Sequence, residues 1–266
     1  MMVRVKDASD ARTVLEEVTG RAVTQSLVIR GYWDHVRTVT VDSRPAVEER
    51  ARVAFRSVLD HPQGSRFIAD RLGLRKLVDN PDSLREYAES VLKTHADMID
   101  RSAVVFIHSV VDDTLGVLCL LVARHTPQAF FDVLGTKRIP FADVMSRTVY
   151  SIGSDLVSNY SASFEFMSVM DKADSLTAGC RKLKKELPEE YFSYDSSALA
   201  TLDSVRIGIV HKGQGIPGVM NVGDAIEKAT NIMLHFVALV STACEIPIDI
   251  AKAVAGGSSG VGPTSS

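Results

Sequence analysis

The sequence predicts a mainly α-helical protein, built as an antiparallel helical bundle over residues 81–254 after a smaller mixed region at 1–80. Three observations predict this class. Apolar residues recur at helical spacing over long stretches of the second region. Asn-Pro and Pro positions stand where helices commonly begin. Patterns typical of strands are confined to the first 45 residues.

The N-terminal region mixes two patterns. Residues Ala8 to Val18 are amphipathic, whereas Leu27–Ile29 and Val36–Val41 are rich in β-branched residues, which favours strands. A short hairpin around Gly31-Tyr32-Trp33 would join them. From Pro45 the apolar spacing becomes helical again, with the proline in the first turn. We therefore expect a helical region that contains a small hairpin.

The bundle begins at Asn80-Pro81, where asparagine is a helix cap and proline suits the first turn. This helix can continue into the apolar run that ends near Arg124. Later helices are predicted over four further stretches: Phe141–Val157, Ser163–Leu187, Ser196–Val210 and Gly223–Cys244. Residues 255–266 are rich in Gly and Ser, which predicts a disordered tail.

Composition narrows the function classes. With 30 Lys and Arg against 33 Asp and Glu, the net charge is −3, so any nucleic-acid contact must come from a local basic patch. The three cysteines form no CxxC pair, which favours buried free thiols in a reducing compartment. The first residues contain no apolar leader, and the longest uncharged run, Thr114–Ala123, is too short to span about 30 Å of hydrocarbon. We expect a cytoplasmic protein that does not enter a membrane.

The most distinctive string is Val205-Arg206-Ile207-Gly208-Ile209-Val210-His211-Lys212-Gly213, at the end of a predicted helix. It resembles the motif of the HEPN family (higher eukaryotes and prokaryotes nucleotide-binding domains), in which an arginine is followed after four residues by a histidine. Both Val205-Arg206 and Ile209–Gly213 agree with the family pattern. Ile207 departs from it, because the family often has Asn, His or Asp there.

The resemblance covers about residues 81–245 and implies a metal-independent endoribonuclease of toxin or antiviral-defence type. Such an enzyme cleaves RNA through the ribose 2′-hydroxyl. His211 would move protons, and Arg206 would stabilise charge on the phosphate. In the family two protomers usually form one composite cleft, which implies a homodimer with RNA as substrate. An antitoxin or regulatory partner is also implied, and neither a cofactor nor a metal is needed.

Three further side chains are candidate supports of this site. Asp203 lies three residues before Arg206 and can hold its guanidinium, or form only a solvated surface pair. Lys212 would add positive charge next to His211. Asp112, with His108 four residues before it, has metal-ligand spacing, but no second pair completes a metal site. The two residues would instead form a buried polar cluster, or a wall of the cleft that helps orient His211, and by likeness to HEPN bundles Asp112 would line the pocket.

Two alternatives remain open at the level of sequence. A histidine before a glycine at a helix end can simply complement the helix dipole, with the glycine as a left-handed cap. The protein would then be a non-catalytic HEPN-like interaction or nucleotide-binding module. The basic run Arg181–Lys185 can likewise complement a helix end or contact RNA.

Overall fold

A computed structural model describes residues 8–59, 73–130, 155, 158–160, 162–218, 220–249, 251 and 253–254. Throughout these residues the secondary structure is helical and no strand occurs, which confirms the all-α prediction. The predicted helix Phe141–Val157 lies almost entirely outside the described residues, and so does the predicted disordered tail at 255–266.

Seven α-helices lie wholly within the described residues, and we number them in chain order. Their bounds are α1 Ala8–Asp42, α2 Arg44–Leu59, α3 Leu74–Asp79, α4 Pro81–His125, α5 Val169–Leu183, α6 Ser196–Lys212 and α7 Val222–Ala243. Short 3₁₀ turns span Pro127–Phe130, Phe164–Phe166 and Glu189–Phe192.

Helix α1 corrects the predicted mixed region. It runs without interruption through both predicted strands, Leu27–Ile29 and Val36–Val41, and through the predicted hairpin at Gly31-Tyr32-Trp33. Residues spaced by three or four along α1 are buried in the core shared with α4 and α7: Ala11, Leu15, Val18 and Ala22. This tertiary packing overrides the strand preference of the β-branched residues, a preference that is weak and depends on context.

Helix α4 is the central element of the fold. Its predicted start is confirmed, since the Asn80 side chain accepts a hydrogen bond from the Asp82 N–H at 3.0 Å and Pro81 occupies the first turn. The helix continues for 45 residues to His125 and packs against α1, α2, α3, α5, α6 and α7. Each of the other six helices therefore packs directly against α4.

The length of α4 also bears on the membrane question. The helix is long and apolar enough to cross a bilayer, with a mean hydropathy of 1.9 over 18 residues. This window is longer than Thr114–Ala123, the uncharged run on which the sequence-based expectation rested. Half of this window is buried inside the protein, and the core helix of a soluble protein passes the same test.

One hydrophobic core joins α1 with α4, α5, α6 and α7, so residues on both sides of position 80 contribute to it. The largest fully buried side chains include Leu15, Leu115, Met233 and Phe236. All three cysteines are free and buried, as the sequence predicted. Burial raises the pKa of the Cys119 thiol to about 12, so this thiol is a packing group in the core.

Candidate functional site

The candidate site lies at the C-terminal end of α6. The helix begins at Asp195, whose side chain accepts a hydrogen bond from the Ala198 N–H at 2.9 Å, and that bond lowers the pKa of Asp195. It ends at Gly213, which has the left-handed φ of 61°. The Gly213 N–H donates to the Ile209 carbonyl at 3.2 Å. Glycine suits this position because a Cβ would be strained there. The cap places His211 in the last turn of the helix.

Arg206 and His211 are both available to a ligand. The Arg206 side chain is partly buried and that of His211 is exposed. Within the described part of the chain, neither makes a hydrogen bond or an ion pair. Five positions on a helix correspond to about 140° of rotation, so the two side chains leave α6 in different directions. A single protomer therefore presents the two groups on different sides of the helix.

Between these directions lies a short apolar strip on α6. Ile207 and Val210 are 39% and 49% exposed, which is high for side chains of this type in a folded helix. At about 100° per residue, both point between Arg206 and His211. We call Ile207 and Val210 the apolar strip. These two side chains are therefore largely uncovered by other described elements.

Asp203 does not form the expected pair with Arg206. Its carboxylate accepts a hydrogen bond from Nε2 of His108 on α4, with an oxygen–nitrogen distance of 2.8 Å. The His108 side chain is only 8% exposed, and a buried imidazole needs a partner because an unpaired polar group in the core is costly. This requirement explains why Asp203 turns towards α4.

Asp112 also has a different partner from the one expected. It accepts a hydrogen bond at 2.5 Å from Nζ of Lys172, a buried lysine on α5. Asp112 therefore links α4 to α5, and the prediction that it orients His211 finds no contact to support it. The predicted supporting residue Lys212 is exposed and follows His211 on α6.

His108 and Asp112 therefore bond to two different helices, α6 and α5, although their spacing is typical of metal ligands. Among the described residues, no group of three His, Cys, Asp or Glu side chains is close enough to hold a metal ion.

Arg101 is a residue near the site that the sequence reasoning missed. Its Nη1 donates to the carbonyl of Gly213 at 3.2 Å, and its guanidinium also pairs with Asp97 one turn earlier on α4. The one available signal was its spacing of seven residues from His108, which places both on one face of α4. Nothing in the sequence indicated that this face meets the end of α6.

The basic run at the end of α5 is largely neutralised. Arg181 pairs with Glu189 and lies over the ring of Phe192, at 5.0 Å from its centroid. Lys184 pairs with Glu245 and has Glu186 at 3.9 Å. These contacts favour the structural interpretation of the run over contact with RNA.

A cavity of about 310 Å³ lies between α6 and α7. Its lining includes Leu202, Val205 and Ile232, with Asp224 and Lys228 among its charged residues. Neither Arg206 nor His211 lines it, so the motif lies on a surface of its own.

No family model, no curated protein and no solved structure matches the chain.

Proposed function

We propose that this protein is a metal-independent endoribonuclease of the HEPN toxin or antiviral-defence type. The observation that carries the proposal is the state of Arg206 and His211. A guanidinium and an imidazole lie near the C-terminal end of α6, and neither makes a hydrogen bond or an ion pair to a described residue. Charged and titratable side chains held this way are free to contact a phosphate.

The chemistry follows from these two groups. The ribose 2′-hydroxyl attacks the adjacent phosphorus, forming a 2′-oxygen–phosphorus bond while the bond to the 5′-oxygen breaks. An imidazole accepts the 2′-hydroxyl proton, and an imidazolium supplies a proton to the leaving 5′-oxygen. Arg206 stabilises the extra negative charge on the phosphate. The products are a 2′,3′-cyclic phosphate and a 5′-hydroxyl.

A homodimer is part of the proposal. Two imidazoles can divide the two proton transfers between them, and each protomer supplies one at this motif. Packing the apolar strip of one copy against that of a second would bury Ile207 and Val210. Because the strip lies between Arg206 and His211, it would also bring the motifs of both copies to one interface. An apolar Ile207 suits such an interface, which gives a physical reason for its departure from the family pattern.

RNA as the substrate, an antitoxin or regulatory partner and a cytoplasmic location belong to the same proposal. A nuclease without a restraining partner would damage the RNA of its own cell. These elements depend on the resemblance of the string from Val205 to Gly213.

The deciding experiment compares RNA cleavage by the unaltered protein, His211→Ala and His35→Ala in EDTA. His35 is a matched control because it is an exposed histidine on α1. We expect His211→Ala to lower kcat by about 10²–10⁴-fold, the usual contribution of a general acid or base. His35→Ala should cleave normally.

The ends of the cleaved RNA provide a second readout. Cyclic 2′,3′-phosphate ends are expected from attack by the 2′-hydroxyl. The proposal is overturned if the unaltered protein does not cleave RNA, if His211→Ala cleaves equally well, or if the products carry 3′-hydroxyl ends.

A second candidate function is a non-catalytic interaction or nucleotide-binding module. It is favoured by the position of His211 in the last turn before the left-handed Gly213, where a cation complements the helix dipole. Under this alternative, the protein binds RNA or a nucleotide without cleaving it. His211→Ala would then lower the thermal stability slightly and leave no activity to lose.

A further inference from the structure

Two polar contacts join α6 to α4, and they lie on either side of the motif. The first is the hydrogen bond from His108 to Asp203 at 2.8 Å. The second is the hydrogen bond from Arg101 to the Gly213 carbonyl at 3.2 Å. Asp203 precedes Arg206 by three residues, and Gly213 follows His211 by two. The segment that carries the motif is therefore held at both ends by one helix.

The spacing of the contacts shows how the helices run. Arg101 and His108 are seven residues apart, which is about 10 Å along α4. Asp203 and Gly213 are separated by ten residues of α6 in the opposite order, so α4 and α6 are antiparallel. Because the two contacts lie at different positions along the axis of α4, they fix both the axial position and the rotation of the motif segment.

Both α4 side chains are themselves held in place. His108 is buried at 7% exposure in the middle of α4. Arg101 is oriented by its ion pair with Asp97, and its Nε is buried without a hydrogen-bond partner in the described structure. A buried guanidinium nitrogen of this kind is costly, so the conformation depends on the contacts that the terminal nitrogens make.

We propose that Arg101 and His108 are positioning residues that clamp residues 203–213 of α6 against α4. The clamp sets the direction in which Arg206 and His211 reach the scissile phosphate. Neither clamp residue is proposed to touch RNA. This inference rests on the proposed ribonuclease function, and it adds to it two residues on a different helix.

The expected effect of losing the clamp is on kcat. Catalysis by positioned groups requires close alignment, and a displacement of about 1 Å can cost about 10²-fold in rate. The groups that bind RNA remain in Arg101→Gln, so KM should change little. A variant that merely unfolds part of the protein would lower the active fraction and the thermal stability together.

The test compares Arg101→Gln with Arg21→Gln, a matched control. Arg21 also links another helix to α4, through Nη1 at 3.1 Å from Asp113 Oδ2, but it lies on α1. We expect Arg101→Gln to lower kcat by about 10–100-fold with KM within about threefold. Arg21→Gln should have unaltered kinetics. Arg101→Lys, which keeps one donor, should recover part of the loss.

The other end of the clamp is tested with Asp203→Ala. This change removes the acceptor of His108, and it should lower kcat in the same direction as Arg101→Gln. Because both contacts hold one segment, the double variant should lose less than the product of the two single losses. Full multiplication of the two losses would contradict a shared clamp.

Amide hydrogen exchange separates failure of the clamp from failure of the proposed function. The N–H groups of Gly213 and Gln214 donate to Ile209 and Gly208, so they report on the helix end without RNA. Their exchange should accelerate in Arg101→Gln and not in Arg21→Gln. Unchanged exchange would overturn the clamp, whether or not the protein cleaves RNA.

The remaining outcomes are also decisive. Faster exchange with unchanged kcat would show a clamp that does not position the motif, which overturns the inference while the ribonuclease survives. If the unaltered protein does not cleave RNA, the proposed function and the positioning role both fail.

Discussion

The C-terminal ends of α5 and α6 both carry basic side chains but use them differently. At the end of α5, Arg181 and Lys184 are paired with Glu189 and Glu245. At the end of α6, Arg206 and His211 have no hydrogen bond or ion pair to any described residue. The sequence has more basic residues at the α5 end, yet Arg181 and Lys184 are paired there while Arg206 and His211 remain unpaired at the α6 end.

This difference teaches that availability, and not the number of basic residues, identifies a candidate phosphate site. A cation that already has a carboxylate partner gains little from a phosphate, because the existing contact must first be given up. An unpartnered cation gives up only water. The three predictions below test this comparison, beginning with the largest effect.

Replacing one arginine by glutamine at the C-terminal end of α6 and one at that of α5 tests the comparison directly. Arg206→Gln should lower kcat for RNA cleavage by about 10²–10³-fold, as expected for removal of a group that stabilises developing charge. Arg181→Gln should leave cleavage unchanged because its guanidinium is engaged by Glu189 and Phe192. Single-turnover kinetics with labelled RNA would measure both. Equal losses in the two variants would show that the α5 end also contacts RNA.

The ion pair between Asp112 on α4 and the buried Lys172 on α5 sharpens the comparison among paired cations. Asp112→Ala leaves the Lys172 ammonium buried without its partner, which should lower the free energy of unfolding by about 3 kcal/mol. Asp113→Ala is the adjacent control. It removes an exposed pair with Arg21, so the change should stay within about 0.5 kcal/mol. Urea denaturation measures both values, and similar values for the two variants would contradict the role of burial.

The smallest expected effect is on the stability that the Lys184–Glu245 pair at the end of α5 contributes as the pH falls. The hydrogen bond from Lys184 holds the pKa of Glu245 below its ordinary value of 4.5. The unfolded chain therefore binds this proton more readily than the folded protein does. The stabilisation is present above about pH 4.5 and is lost as the pH falls through the lowered folded pKa. Glu245→Gln should make the acid decline in thermal stability less steep. An identical decline in the variant would show that the pair contributes nothing.

Much of the helical framework could be predicted from sequence, because caps and apolar spacing are local signals. Both the start of α4 at Asn80-Pro81 and the glycine cap of α6 at Gly213 could be predicted from the sequence. The prediction failed at Leu27–Ile29, because the local strand preference was overridden by the packing of other α1 residues, such as Leu15 and Val18, in a core shared with α4, a helix distant in the sequence. Tertiary packing won.

The site was only half predictable for the same reason. Arg206 and His211 were singled out by the resemblance of their string to the HEPN motif, and in the structure neither is bonded to a described residue. The partners of Asp203 and Asp112 could not be assigned, because each carboxylate chose a residue about 60 or more positions away. Arg101 stayed unnoticed because its contact is to a backbone carbonyl, which has no sequence signature.

The unequal burial along α4 has a consequence for how the molecule opens. Before Ile99, only Leu84 and Ala88 are buried on this helix, whereas most of its buried residues follow. Helix α2, which packs beside this first half, has no buried residue at all. Sub-global unfolding should therefore start in this outer layer, with α2 and the first turns of α4 melting while the half that holds α6 stays intact.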